Sequence, residues 1–253
     1  MKTNKTIETI LNHRSIRKWK DEKLSDDVLE TLYNVANRTS TSIGMQTASI
    51  IRVVDKEKRA QIAEVSTQKY VNEAPEFWVF VADNYRNHRI LQEADASEDH
   101  TNDVDRLFSS FTDAAIMAQN VANAAESLGL GIVYFGSILN DARRIVEILE
   151  LPEHTFPVIG MGIGYPDQEP QLKPRMDYEN RIFTDTYKKY ENYHEVFKKY
   201  DEEMVKYYDL RNTNGPVDKF TEQAVAKYTK QQIKRQELLQ VAKEQGFDLG
   251  NIK

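Results

Sequence analysis

The segment from Leu107 to Leu128 constrains the fold more than any other. It holds no proline and no glycine, and it carries Ala114, Ala115, Ala118, Ala122, Ala124 and Ala125. Alanine favours a helix and leaves it narrow, so neighbouring elements can approach it from several sides. Gly129 stands where a left-handed residue would end such a helix. The pattern predicts one long central core helix. A helix from a second subunit against the same surface is the sharper reading of it.

Strand signals flank this helix. Glu76-Phe77-Trp78-Val79-Phe80-Val81-Ala82 is apolar on both faces and aromatic, as a central buried strand is. Residues 50–54, 132–135 and 156–163 read as further strands, with Pro166 stopping the last. Ile7, Ile10 and Leu11 give a short amphipathic helix. Ser25 is placed to cap a helix with the apolar face Val28, Leu29, Leu32, Val35 and Ala36. Residues 56–65, 84–93 and 141–149 complete the helical segments. Gly160, Gly162 and Gly164 look like part of a dinucleotide fingerprint, but the spacing is G-x-G-x-G, inside a strand, with Pro166 where a helix should open. Their expected role is to let the slim helix pack on the strand. The acidic segment 94–105 offers Asp95, Asp99, His100 and Asp103, a spacing that matches no calcium loop and no zinc signature. It is expected to be a solvated, mobile loop.

After Arg175 tyrosine and lysine become frequent and strand signals stop. Residues 194–210 and 217–246 read as two long polar helices, too hydrophilic for a core of their own. The expected organisation is a main domain over 1–180 and a helical extension over 181–253 that wraps the core or a partner.

Composition excludes several classes. The chain of 253 residues carries a net charge of -6, which argues against a nucleic-acid partner. With no cysteine, disulfides, thiolate catalysis, iron–sulfur ligation and cysteine-based zinc sites are out. No metal site is expected. No run approaches the ~20 apolar residues of a membrane span, and the N-terminus lacks a leader's apolar core. The expectation is a cytoplasmic protein.

Two basic clusters remain, His13-Arg14-Ser15-Ile16-Arg17 and Lys173-Pro174-Arg175. Either alone is ordinary solvated surface. Brought together, they suit a phosphate-bearing cofactor, because guanidinium forks match phosphate oxygens and a lysine adds a point charge. The loop 39–44 carries more hydroxyls than caps require, so some face solvent or a ligand. Tyr134-Phe135-Gly136-Ser137 reads as a turn.

In order and spacing these motifs resemble the flavin-dependent nitroreductases of the oxygen-insensitive, NADPH-linked group, which also contains bacterial flavin reductases. The resemblance is carried by His13 to Arg17, Thr39 to Ser42, Ser49-Ile50-Ile51-Arg52, the strand from Glu76 and Ala118-Gln119-Asn120. It continues through Ala125-Glu126-Ser127-Leu128-Gly129-Leu130-Gly131, Lys173-Pro174-Arg175 and Tyr207-Tyr208 with Arg211. It spans about residues 7–246.

The resemblance implies an α+β fold: a mixed, mainly antiparallel sheet flanked by helices, a long central dimer helix and a C-terminal helical extension. It implies a homodimer with two FMN sites between subunits. It implies electron transfer from NADPH through FMN, by a ping-pong mechanism, to nitroaromatics, quinones, azo compounds or free flavin. It assigns His13, Arg14, Ser15 and Arg17 to the phosphate, ribityl chain and pyrimidine edge, and Lys173 and Arg175 to the flavin edge and phosphate. Thr41, from the second subunit's loop in such proteins, Gln68, and the turn of Tyr134, Gly136 and Ser137 complete the FMN set, and Arg211 meets the nicotinamide cofactor's phosphate. No catalytic acid, base or nucleophile is assigned, because the cofactor carries the chemistry. The residues alone leave His13 open as a helix-end residue, Gln68 as a loop amide, Thr41 as a stabiliser of its own loop and Tyr134 as a strand-end aromatic.

Two departures bear on specificity. No second cation follows Arg211 before Lys219, so NADPH is expected to be preferred with NADH accepted. Ile43-Gly44 replaces the Phe-Leu frequent in such proteins, which leaves acceptor choice open. The alternatives are a dedicated flavin reductase that supplies free reduced FMN and, from another class, a non-catalytic flavin-binding protein.

Overall fold

The structure, a computed structural model, describes residues 2–209 and 215–250, with the backbone alone at 208, 209, 215 and 216. The described residues form two compact units, one of 1–168 with 232–253 and one of 169–231. The sequence expectation drew its single boundary after residue 180.

The first unit opens with α1 (Lys5–Leu11), capped by the Asn4 side chain, and α2 (Asp26–Asn37), capped by Ser25 as its sequence predicts. Strand β1 (Ala48–Arg52), α3 (Lys56–Ser66), α4 (Tyr70–Glu73), β2 (Glu76–Asp83) and α5 (Tyr85–Glu93) follow. Then come α6 (Val104–Ser127), β3 (Gly131–Phe135), α7 (Ala142–Leu149) and β4 (Thr155–Gly164). The strands form one sheet in the order β1-β2-β4-β3, each neighbour antiparallel. A parallel bridge between Ser15 and Ile132 adds the one mixed feature at the β3 edge. Strand β1 lies two residues earlier than its β-branched signal, because Ala48 and Ser49 still pair with Ala82 and Val81 while Asp55 already caps α3.

Phe77, Trp78, Val79, Phe80 and Ala82 are fully buried, as expected of the central strand. Glu76 tolerates burial at its start because Arg52 grips it with two nitrogens, at 2.6 and 2.5 Å, and the Trp78 indole donates to it at 3.0 Å. The slim helix α6 packs on all four strands and on α1 and α2. Its buried stripe runs through Leu107, Ser110, Ala114, Ala118, Val121 and Ala125, and Gly129 takes the left-handed φ of +81° just past its end.

The glycines of β4 do not seat this helix. A Cβ at Gly162 would lie 3.1 Å from the Trp19 ring and 3.2 Å from Ala74, and one at Gly164 would lie 2.6 Å from Pro75. They make room for an indole and a proline on the face that α6 does not use. Trp19 ties the N-terminal segment down there: its backbone bridges Pro166 and its Nε1 donates to the Gly131 carbonyl at 3.0 Å.

The second unit holds α8 (Tyr193–Val196), α9 (Lys198–Met204), β5 (Tyr208–Asp209), β6 (Gly215–Pro216) and α10 (Phe220–Tyr228). The chain then rejoins the first unit as α11 (Leu238–Glu244). The two long polar helices expected from the sequence are therefore several short ones. Too few apolar residues recur at helical spacing to bury a long face. Aromatic pairs do the holding instead, with Phe197 and Tyr200 against Phe220 at 5.5 and 5.3 Å between centroids. The buried Asp201 accepts from the Thr221 N–H and hydroxyl at 3.0 and 2.6 Å. No helix among the described residues is long and apolar enough to cross a membrane.

One substitution tests the pinning of the N-terminal segment. A Cβ at Gly131 would lie 2.4 Å from the Ile16 side chain, whose backbone N–H bonds the Ile132 carbonyl at 2.8 Å. Gly131→Ala is expected to cost about 1–3 kcal/mol through overpacking. At about 2–4 °C per kcal/mol, thermal denaturation should read a fall of about 2–12 °C. An unchanged Tm would show that Ile16 has room to move.

Candidate functional site

The β3 edge collects most of the residues singled out from the sequence. Ile16 is buried in the core and its backbone pairs with Ile132, so His13, Arg14, Ser15 and Arg17 are carried along a fixed edge and not on a free loop. The Nε atoms of Arg14 and Arg17 are buried without a hydrogen-bond partner. Arg14 spends one Nη on the Asn12 carbonyl, at 3.2 Å. Neither arginine has a carboxylate within ion-pair distance among the described residues. Buried guanidinium donors without an acceptor are costly, so two on one edge mark a place where an anion belongs.

The strand continues from this edge into Tyr134, Phe135, Gly136 and Ser137. The Ser137 Oγ is a third buried polar atom with no partner. Gly136 is exposed, and a Cβ there would meet nothing within 4 Å, so open space adjoins its backbone. Gln68 lies beside the same turn. Its Oε1 accepts from the Tyr70 hydroxyl at 2.5 Å, and the Tyr70 ring stands 5.1 Å from that of Phe135. Three buried donors, two of them cationic, fit a phosphate and a hydroxylated chain, which is the donor set FMN requires.

Three residues of the first unit escape the sequence reading. Glu126, on the last turn of α6 and 11 % exposed, approaches the His13 Nδ1 to 2.5 Å. Burial holds the Tyr134 phenol above its ordinary pKa, and the Glu126 charge adds to this. The Tyr134 hydroxyl donates to Gln119 at 3.3 Å. Arg235, from the returning C-terminal segment, donates to the Gly136 carbonyl at 2.9 Å. Asp113 is the third. Its signal was available, since it falls on the buried stripe of α6 where the neighbouring positions are apolar or small.

Thr41 lies at the other edge of the sheet. It precedes the turn 42–47 that leads into β1, and that turn is held by Asp113, which accepts from the Ser42 N–H and the Thr47 hydroxyl, both at 2.8 Å. Asp113 and Glu126 are thirteen residues apart on one helix, about 20 Å along its axis. Asn120, between these carboxylates on α6, donates to the Thr39 Oγ1 at 3.0 Å, and among the described residues no hydrogen bond joins Thr41 to the His13–Arg17 edge.

Lys173 and Arg175 belong to the second unit, where Arg175 folds back to donate to the carbonyls of Lys173 and Pro174 at 2.9 and 3.2 Å. The Tyr200 hydroxyl also donates to the Pro174 carbonyl, at 3.3 Å, which fixes this loop. Arg211 lies outside the described residues.

The acidic segment is not simply solvated. Asp99 meets the His88 Nδ1 at 2.5 Å and accepts from the Thr101 N–H and hydroxyl at 2.9 and 2.6 Å. Burial raises its pKa, but the Thr101 bonds and then His88 outweigh that and hold it at about 2. The His88 ring stands edge-on to His154 at 4.3 Å. Burial, then repulsion from His88, holds the His154 imidazole below its ordinary range. The segment so anchored walls a cavity of about 450 Å³ with the turn 42–47, α5 and α6.

Comparison with known proteins bears on the whole chain. The model of the nitroreductase family matches residues 10–165, and that of the nitroreductase family C-terminal domain matches 173–250. An NADPH-dependent oxidoreductase of Staphylococcus haemolyticus is 40% identical over 218 residues, 85% of this chain and 86% of its own. An FMN reductase (NADPH) of Bacillus subtilis is 36% identical over 248 residues, 97% and 99% of the two chains. The solved structure of NfrA2 from Bacillus megaterium superposes with a TM-score of 0.89 at 32% identity, covering 98% of this chain and 100% of its own.

The histidine–carboxylate cluster has a signed pH dependence. His154 titrates below its ordinary 6.5, so the stability it contributes is present above that pH and is lost as pH falls through the lowered value. Asp99 contributes above its ordinary 3.8, and that contribution is lost as pH falls towards about 2. Tm measured from pH 7 to 4 should therefore fall, and His154→Asn, which keeps a residue tolerant of the left-handed φ of 57° found there, should flatten the fall. A variant with the wild-type slope would remove His154 as the cause.

Proposed function

The chain belongs to the nitroreductase family and is an FMN-dependent NAD(P)H oxidoreductase, and we propose that it works as a homodimer of broad acceptor range. The observation that carries this reading is the pair of buried, unpartnered guanidinium donors of Arg14 and Arg17 on the β3 edge.

In this reading Arg14 and Arg17 neutralise the FMN phosphate, Ser137 and Ser15 take hydroxyls of the ribityl chain, and His13, fixed by Glu126, borders them. The exposed backbone of Gly136 faces the ring, with Tyr134 and Gln68 beside it. Lys173 and Arg175 supply the second cationic element, one towards the flavin edge and one towards the phosphate. A cation near the pyrimidine edge favours the reduced, anionic form of a flavin. FMN, when bound, supplies hydride acceptance from a nicotinamide and two-electron delivery to an acceptor. The chain's own work is to bind, orient and keep water out.

In this scheme Thr41 meets the flavin of the second subunit, since within its own chain the turn that follows it is tied to Asp113 and not to the His13–Glu126 pair. The surface near it suits such a boundary. Phe108 and Ile116 of α6 are 65% and 45% exposed, and Ile43 is 69% exposed. Arg211, with no second cation before Lys219, supports NADPH as preferred donor with NADH accepted. Nitroaromatics, quinones, azo compounds and free flavin are the proposed acceptors.

The purified protein is expected to be yellow and to bleach on anaerobic addition of NADPH. A colourless protein that ignores added FMN would overturn the reading. Arg14→Ala should weaken FMN binding about 10- to 100-fold, the worth of a hydrogen bond to a charged group, as read by flavin fluorescence. Steady-state kinetics should favour NADPH over NADH. Comparing turnover on FMN, nitrofurazone and a quinone separates a broad reductase from a dedicated flavin reductase.

A further inference from the structure

Asp113 is a carboxylate in a place where carboxylates are rare. It is 2% exposed, in the middle of a helix whose neighbouring buried positions are alanine, serine and leucine. Among the described residues no lysine, arginine or histidine lies within ion-pair distance of it. An uncompensated buried charge is expensive, and here two hydrogen bonds offset the cost, one to each end of the same turn. Oδ1 takes the N–H of Ser42 at the entry and Oδ2 takes the hydroxyl of Thr47 at the exit, both at 2.8 Å.

Between those two contacts the backbone is strained. Ile43 has φ 46°, Gly44 φ 73° and Gln46 φ 54°. A β-branched residue in the left-handed region is an outlier that persists only when its surroundings over-determine it. Burial of the Ile43 side chain is not the compensation, because that side chain is 69% exposed. The turn is bent for what it presents outward. Two further bonds brace it from α5, with Asn87 donating to the Met45 carbonyl at 3.3 Å and Arg86 to the Gln46 carbonyl at 3.0 Å. Both are exposed contacts, whereas the Thr47 bond to Asp113 is buried and the Ser42 bond partly so, and these set the geometry.

We infer that Asp113 is a positioning residue: it locks the turn 42–47 in its strained form and thereby aims Thr41, immediately before the turn, at the flavin of the second subunit. The inference rests on the reading that Thr41 contacts FMN across the dimer. Asp113 itself touches no cofactor. Its loss acts through Thr41 and not through the distant His13 edge.

The test is a double-mutant cycle on the holoenzyme, reading the FMN dissociation constant by recovery of flavin fluorescence on dilution. Thr41→Val is expected to raise it about fivefold, the size of one ordinary hydrogen bond. Asp113→Ala is expected to raise it by a similar factor. The double variant should be no weaker than the weaker single variant, because the hydroxyl that Asp113 aims is already gone. Asp113→Asn should restore binding to within about twofold, since an amide can accept from Ser42 and donate to Thr47. If Asp113→Ala does not fold, Thr47→Val breaks one contact and enters the same cycle. Losses that multiply in the double variant, or an Asp113 variant with wild-type affinity, would overturn the inference. So would a wild-type affinity in Thr41→Val. A wild-type protein that binds no FMN would instead defeat the functional reading, and the two failures are distinguishable by the colour of the unmodified protein.

Discussion

The placement of two carboxylates on one narrow helix organises the first unit. The alanines of α6 let it lie against all four strands, so a single rigid element passes under both edges of the sheet. Asp113 then holds the segment entering β1, and Glu126 holds His13 beside β3. Because a helix has a fixed rise, the separation of these two grips is fixed at about 20 Å. A flexible connection would let the two halves of a site drift towards one another. This helix forbids it, and in the proposed reading a second copy supplies the other half of the site.

The electrostatics at the two ends differ in kind. At the Glu126 end a carboxylate meets an imidazole, and two arginines stand nearby without counter-charge. The net local charge is positive and partly desolvated, which is what a phosphate dianion needs. At the Asp113 end the charge is negative, buried and satisfied by neutral donors alone, so it attracts no ligand and acts on the backbone. The Nε donors of the two arginines meet no acceptor among the described residues, whereas the aspartate has both its oxygens bonded and uses them to set shape.

The regular elements of the first unit were legible because burial wrote them plainly. Glu76 to Ala82 had no polar face to misread, and Ser25 and Gly129 marked helix ends by their own conformational preferences. The C-terminal helices were misread because tyrosine and lysine spacing carries no single apolar stripe, and the aromatic pairs that hold the second unit join residues distant in sequence, such as Phe197 and Phe220. The β4 glycines were assigned to the wrong face for a related reason. A strand pattern says that small residues share a side, but only tertiary contacts say that Trp19 and Pro75 occupy it. The basic cluster of the site was visible as charge. The carboxylates that position its parts were hidden inside an apolar helix, and the partners of His88 and Asp99 were hidden inside a segment that looked solvated.

Trp19 shows how the parts depend on one another. Its indole fills the space left by Gly162 and Gly164 and donates to Gly131, and the same anchoring brings Ile16 against Gly131. The basic residues lie on either side of Ile16, so their position is inherited from the packing of an aromatic ring against three glycines. A loop bearing two arginines would pay a large entropic cost to bind an anion if it were free. Here the cost is met during folding, by burial of apolar surface with no electrostatic role. The glycines, which read as a cofactor fingerprint at first sight, serve the proposed anion site indirectly: they let the ring that fixes the segment come close.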